Sequence, residues 1–148
     1  MIAVVALAAL GFGYWTISPF FIDKKVSESF PVIEQHNELV TLSTGSFEGF
    51  DRIHYGSGDV SLIETDEGYL LWFDENFNVA NGPDLVVGLG RDGEYKKETQ
   101  IDKLKGNIGS QYYFVPKEIN IEEYNEVWIW CRAFSVGFAK AKLNPLNY

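Results

Sequence analysis

The chain has 148 residues, enough for one ordinary domain, and 46% of them are hydrophobic, which can fill a core without disulfide staples. It carries 21 acidic and 12 basic side chains, for a formal net charge of −9. An acidic surface without an offsetting Lys/Arg cluster repels phosphate groups, which argues against nucleic-acid binding. The single cysteine excludes an intrachain disulfide framework.

The first 22 residues contain no charged side chain and are followed by Asp23-Lys24-Lys25. Because an apolar helix of about 20 residues spans the hydrocarbon core of a bilayer, residues 1–22 are predicted to form one N-terminal transmembrane helix. Pro19 is expected to end or kink it. A buried core helix normally shows a polar stripe, and a cleaved signal peptide normally begins with basic residues, so an uncleaved anchor is favoured over both.

Residues 23–40 are mixed and polar, include Pro31, and are predicted to be a linker. Residues 41–148 are predicted to form the domain, in which short apolar runs alternate with Gly, Asn and Asp turn signals. The predicted strands lie, in chain order, within residues 45–49, 60–65, 69–73, 85–90, 112–115, 127–131 and 134–143. One turn of helix is expected within residues 119–124, and Asp66-Glu67-Gly68, between two apolar runs, is expected to be a hairpin turn. This pattern predicts an all-β fold, either a compact β-sandwich or a small β-barrel.

Cys131 ends the strongly apolar run 126–131. Because side chains alternate along a strand, the thiol shares a face with Ile129, whereas Trp130 points to the other face. One interpretation is a buried, inert thiol, since free cysteine is among the most buried residue types. The other is a chemical group held for use, which requires a lowered pKa; Arg132 helps only if a turn or bulge brings its guanidinium to the sulfur.

His54 lies among apolar residues and glycines, where a hydrogen-bonded structural role and a role as base or axial ligand are both open. The other histidine, His36, falls in the predicted linker. A His-rich zinc site is therefore excluded, and one cysteine cannot build a thiolate cluster. A haem ligated by sulfur or imidazole stays open as an alternative.

Two turn-rich loops, residues 81–84 and 106–111, offer polar side chains. Loops on a rigid β scaffold commonly carry binding, so both are candidate binding loops. Their candidate residues are Asn81, Asp84, Asn107 and Gln111. Asp51, Asp59 and Asp84 could share a calcium ion if the fold brings them together, although turn formation explains such residues more simply.

Five short motifs occur in order along the domain: Gly-Ser-Phe at 45–47, His-Tyr-Gly-Ser-Gly at 54–58, Asn-Gly-Pro-Asp-Leu at 81–85, Leu-Lys-Gly-Asn-Ile-Gly-Ser-Gln at 104–111 and Trp-Cys-Arg-Ala-Phe-Ser-Val at 130–136. Together they make residues 41–143 resemble the DM13 domain, a family proposed to act in electron transfer. The resemblance implies a compact all-β domain. It also implies a redox role for Cys131, as a bare thiol or as the ligand of a prosthetic group such as haem.

The first hypothesis is therefore a single-pass, membrane-anchored, extracytoplasmic electron-transfer domain with a redox partner protein. Cys131 would be the redox group or cofactor ligand, and His54 a second ligand. The second hypothesis is a non-catalytic cell-surface module that binds a ligand or protein through its loops, with Cys131 only packing. A hydrolase is the third, because only His54 could serve the thiol as a base.

Overall fold

The computed structural model describes residues 2–17, 22–32 and 39–147. The first element is α1, Ile2–Ile17. Over the described residues, no helix has both the length and the apolar character needed to cross a membrane. The predicted spanning helix over residues 1–22 is thus not borne out there, because the 16 residues of α1 rise about 24 Å and a bilayer core is about 30 Å thick. His36 and the rest of 33–38 in the predicted linker lie outside the described residues.

Strands are the main regular structure of the remaining described chain. They are β1 Val40–Gly49, β2 Gly56–Ser57, β3 Asp59–Thr65, β4 Gly68–Phe73, β5 Asn78–Val79, β6 Leu85–Arg91, β7 Glu94–Tyr95, β8 Asp102–Lys103, β9 Gln111–Val115, β10 Glu126–Cys131, β11 Val136–Lys142 and β12 Asn144–Pro145. Within residues 39–147, two short 3-10 helices, Lys97–Thr99 and Ile121–Glu123, interrupt them. The second lies within the predicted turn of helix.

One antiparallel sheet runs in the order β7-β6-β10-β11-β1-β3-β4-β9, with β8 added to β6 and β12 to β1. The long strand β1 joins its two halves. Most of β1 pairs with β3, whereas its last residues, from Phe47, pair with β11. The sheet therefore curls around β1 into a half-barrel, which confirms a mostly β fold, in the form of a half-barrel rather than the predicted sandwich or small barrel.

The hairpin of β3 and β4 has the predicted turn at Asp66-Glu67. Thr65 closes it: its Oγ1 donates to the carbonyl of Gly68 at 3.0 Å and accepts from the amide of Glu67 at 3.2 Å. Gly68 has φ +132°, a conformation that glycine adopts without steric cost. The local sequence thus sets both the turn and the register of this hairpin.

The core lies inside the curl, where inward side chains from both halves of the sheet meet. Phe47 packs edge-on against Phe73 and Phe77, with ring centroids about 5 Å apart. Val87 and Ile129 come from the other half and are fully buried in the same cluster. Burial of each such aliphatic side chain contributes about 1.5–3 kcal/mol.

Residues 23–32, within the predicted linker, lie against the domain. The amide of Val26 donates to the carbonyl of Ile108 at 2.9 Å. The carboxylate of Glu28 accepts from Lys105 Nζ at 2.8 Å and from a backbone amide at 3.0 Å. Gly109 has φ +98°, and a Cβ there would collide with the carbonyl oxygen of Val26. The glycines of loop 106–111 are therefore needed for this segment to pass close over the loop.

Candidate functional site

Cys131 is the last residue of β10 and is fully buried. It pairs with Leu85 on β6 and Val136 on β11, and it belongs to the apolar core cluster. The residues that follow, 132–135, form an exposed turn that leads into β11. The thiol therefore lies in the core but only one residue away from the surface.

The turn 132–135 is tied to the loop before β6 by Arg132 and Asp84. Arg132 Nε and Nη2 donate to the two carboxylate oxygens of Asp84 at 2.9 and 2.8 Å, and the amide of Arg132 donates to the carbonyl of Asp84 at 3.0 Å. The hydrogen bonds from Arg132 lower the pKa of Asp84, and those same bonds raise the pKa of Arg132. Both groups are thus ionised at neutral pH, and the guanidinium is directed to Asp84.

A cleft of about 510 Å³ opens beside this turn. Asn81, Asp84 and Asn107 all line it, so the fold brings three of the predicted binding residues together. Asp23 Oδ1 links the two loops, because it accepts from the side-chain amides of Asn81 at 2.9 Å and Asn107 at 3.0 Å. Leu85, the β6 partner of Cys131, also lines the cleft.

Gln111, the fourth predicted binding residue, is fully buried instead. Its Oε1 accepts from the amide of Gly106 at 3.2 Å and from the hydroxyl of Tyr113 at 2.6 Å. Its Nε2 donates to the carbonyls of Gly106 at 2.9 Å and Gly109 at 3.2 Å. This side chain holds the 106–109 loop in shape, and all of its observed hydrogen bonds are made inside the protein.

His54 lies in the bend after β1. Its Nδ1 is 2.8 Å from Asp51 Oδ2, and its ring packs edge-on against Phe138 with centroids 4.8 Å apart. The side-chain hydrogen bond with His54, followed by backbone hydrogen bonds from His54 and Ile53, lowers the pKa of Asp51 to about 2. In this arrangement the imidazole orders the loop 50–55.

The fold does not arrange the side chains predicted to bind calcium or haem into a ligand site. Within residues 2–17, 22–32 and 39–147, no group of three or more His, Cys, Asp or Glu side chains could hold a metal ion. The three candidate calcium ligands each have a different partner. Asp51 binds His54 and Asp84 binds Arg132. Asp59 binds Ser46 and Asn76. A haem ligand needs an open position at its donor atom. Cys131 is closed in the packed core, so the residues as placed do not fit a haem held by Cys131 and His54.

The outer face of β6, β10 and β11 carries an aromatic layer that the sequence analysis missed. Tyr95 stacks on Trp130 with centroids 4.7 Å apart and planes 13° apart. Trp128 lies beside both rings, and its Nε1 donates to the buried carboxylate of Glu126 at 3.0 Å. The sequence contained one sign of this layer, Gly88-Leu89-Gly90 in β6. Glycines two residues apart lie on the same face of a strand and leave that face without side chains, so that rings can pack on it.

These features define a small, mostly β domain with a single buried thiol at a strand end, beside a loop-lined cleft. The family model described as "Electron transfer DM13" matches residues 47–143, and the chain belongs to this family. The resemblance seen in the five motifs is thereby confirmed. No curated protein matched the chain, and no solved structure matched it.

Proposed function

We propose that the chain is an electron-transfer domain whose redox group is the Cys131 thiol. The observation that carries the proposal is the position of Cys131, a buried thiol directly before an exposed turn. Oxidation of cysteine follows exposure, so a thiol stored in the core is protected from adventitious oxidants and reacts only when the turn opens. The family description, electron transfer, agrees with this role.

A single thiol transfers electrons through a partner, because it cannot form a disulfide within the chain. In the exchange step, the Cys131 thiolate attacks a disulfide of a partner protein. A bond forms between Cys131 Sγ and one partner sulfur, the partner's S–S bond breaks, and its second sulfur leaves as a thiolate. A thiol of a donor protein then displaces Cys131, which returns to its reduced form while the donor and partner become linked.

Access to the sulfur requires the turn 132–135 to move, and the Arg132–Asp84 ion pair opposes that movement. We expect Arg132→Gln to speed labelling of Cys131 by a small thiol reagent roughly two- to fivefold under native conditions, because an exposed ion pair contributes modestly. The rate is measured by mass spectrometry on the full-length chain. Glu94→Gln, which breaks the exposed pair with Lys96 in another hairpin, is the matched control and leaves the rate unchanged. Equal labelling rates in the unmodified chain, Arg132→Gln and Glu94→Gln would mean that the Arg132–Asp84 ion pair does not limit access to Cys131.

A binding module is the second candidate, and the 510 Å³ cleft favours it. Its volume is within the range of about 300–1,000 Å³ that small-molecule sites occupy. The second amide hydrogen of Asn81 and the ammonium of Lys24 offer hydrogen-bond donors around it, whereas the side-chain amide of Asn107 already donates to Asp23 and to a backbone carbonyl. In that function Cys131 contributes only packing, and ligand binding survives its replacement by alanine.

We further propose that α1 attaches the chain to a membrane, with the β domain on the extracytoplasmic side. The support is the apolar surface of the helix: Val4, Leu7 and Leu10 are each about 70% exposed. Exposed apolar side chains gain free energy when a bilayer covers them. Full-length chain should stay with membranes through an alkaline wash and leave them when residues 1–22 are deleted. Release of both proteins by the wash would contradict the attachment.

A further inference from the structure

A cavity of about 290 Å³ lies beside the aromatic layer. It is lined by Tyr95, Lys97, Gln100, Trp130, Arg132 and Ser135. Trp130 alternates with Cys131 along β10, so this cavity is on the opposite face of the strand from the thiol. It is also separate from the cleft of Asn81 and Asn107, whose lining shares none of these residues.

The wall of the cavity is a rigid pair of rings. Tyr95 and Trp130 are stacked almost parallel, 13° apart. Tyr95 packs closely against β6 because Gly88 has no side chain; a Cβ there would be 2.7 Å from Tyr95 Cε2. Trp128 supports both rings from the side at 6.2–6.3 Å. The wall therefore offers a flat apolar surface that needs no rearrangement to receive a planar group.

The polar side of the cavity is rich in donors. No acidic side chain lines it, although the chain as a whole has a net charge of −9. Lys97 brings positive charge to its rim, Arg132 keeps N–H donors beyond the two that it gives to Asp84, and Gln100 and Ser135 can donate hydrogen bonds. The hydroxyl of Tyr95 is buried and has no hydrogen-bond partner among the described residues. Burial raises the pKa of Tyr95, so this residue stays uncharged and does not repel an anion in the cavity.

We propose that this cavity binds a planar aromatic anion, such as an aromatic carboxylate of one or two rings. The ring packs against Trp130 and Tyr95, and the carboxylate lies near Lys97 and Arg132, where it accepts hydrogen bonds. This binding does not depend on the redox role of Cys131, because it uses the other face of β10.

The test is calorimetric titration of the full-length chain with 2-naphthoate. Two comparison ligands separate the two recognition elements: 2-naphthalenemethanol keeps the rings without the charge, and cyclohexanecarboxylate keeps the charge without a planar ring. We expect saturable binding of 2-naphthoate and weaker binding of each comparison ligand, by roughly threefold or more. Absence of saturable binding, or equal affinity for all three compounds, overturns the proposal.

Two variants locate the site. Trp130→Leu removes the ring wall and should weaken 2-naphthoate binding roughly tenfold. Lys97→Gln changes an exposed side chain, does not endanger folding, and should weaken binding about threefold. Lys117→Gln, an exposed lysine outside the cavity lining, is the matched control and should bind like the unmodified chain. Unchanged affinity in both Trp130→Leu and Lys97→Gln would place the ligand elsewhere and overturn the assignment.

Discussion

Replacement of Cys131 by serine is expected to abolish thiol–disulfide exchange and to lower the free energy of unfolding by about 1–3 kcal/mol. Exchange is lost because Cys131 is the single thiol of the chain. Stability falls because the serine hydroxyl would be fully buried among apolar side chains, where an unpaired hydroxyl costs about that much. Mixed-disulfide formation with glutathione, followed by mass spectrometry, measures the first effect, and urea unfolding measures the second.

Cys131→Ala is the control that separates chemistry from packing. Alanine removes the sulfur without adding a polar group, so exchange is lost equally while the cost in stability comes only from a small cavity, about 1 kcal/mol. In the redox account, both variants also fail to pass electrons to the physiological partner. Undiminished electron transfer by a folded Cys131→Ala protein would exclude the thiol as the redox group and favour the binding module.

Gln111→Leu is expected to lower the free energy of unfolding by about 3 kcal/mol or more. The substitution replaces the carboxamide with an apolar group of similar size and leaves the amide of Gly106, two carbonyls and the hydroxyl of Tyr113 without this partner in a buried site. Each buried group left unsatisfied costs about 1–3 kcal/mol. Because the 106–109 loop also receives Val26, we expect segment 22–32 to be more exposed to protease in this variant.

Tyr113→Phe provides the comparison for Gln111→Leu. It removes one of the four hydrogen bonds of Gln111 and also the acceptor of the Lys105 amide, but it leaves Gln111 Oε1 paired with the amide of Gly106, so its cost should be about 1–2 kcal/mol, below that of Gln111→Leu. Urea unfolding of the three proteins gives the ranking directly. A Gln111→Leu protein as stable as the unmodified chain would mean that this side chain is not a structural anchor and would return it to the candidate binding residues.

Local sequence patterns were sufficient where neighbouring residues decide the structure. The turn at Asp66-Glu67 between two apolar runs predicted the β3–β4 hairpin, and the apolar runs at 85–90 and 127–131 predicted β6 and β10. The motif order predicted the family that the match to residues 47–143 establishes. These features depend on alternation and turn chemistry, which are written in a few adjacent residues.

Contacts between distant residues could not be predicted in the same way. Arg132 and Asp84 are 48 positions apart, and their pairing depends on the β6–β10 register. The burial of Gln111 depends on the loop that closes over it, so its sequence neighbourhood looked like an exposed binding loop. The passage of Val26 over Gly109 likewise required knowledge of a partner 83 positions away. The curl of the sheet at β1 arises from two different pairings of one strand, which no local pattern encodes.

The most direct test of the redox account is the rate of Cys131 labelling in the folded full-length chain as a function of urea, below the unfolding transition. If the turn 132–135 opens locally, little surface is exposed, and the rate at low urea should be nearly independent of denaturant. If the thiol is reached only by global unfolding, the logarithm of the rate should rise with urea along the full unfolding slope, down to zero urea. The first result is the one expected of a redox group held behind a gate, and the second would identify Cys131 as a packing residue.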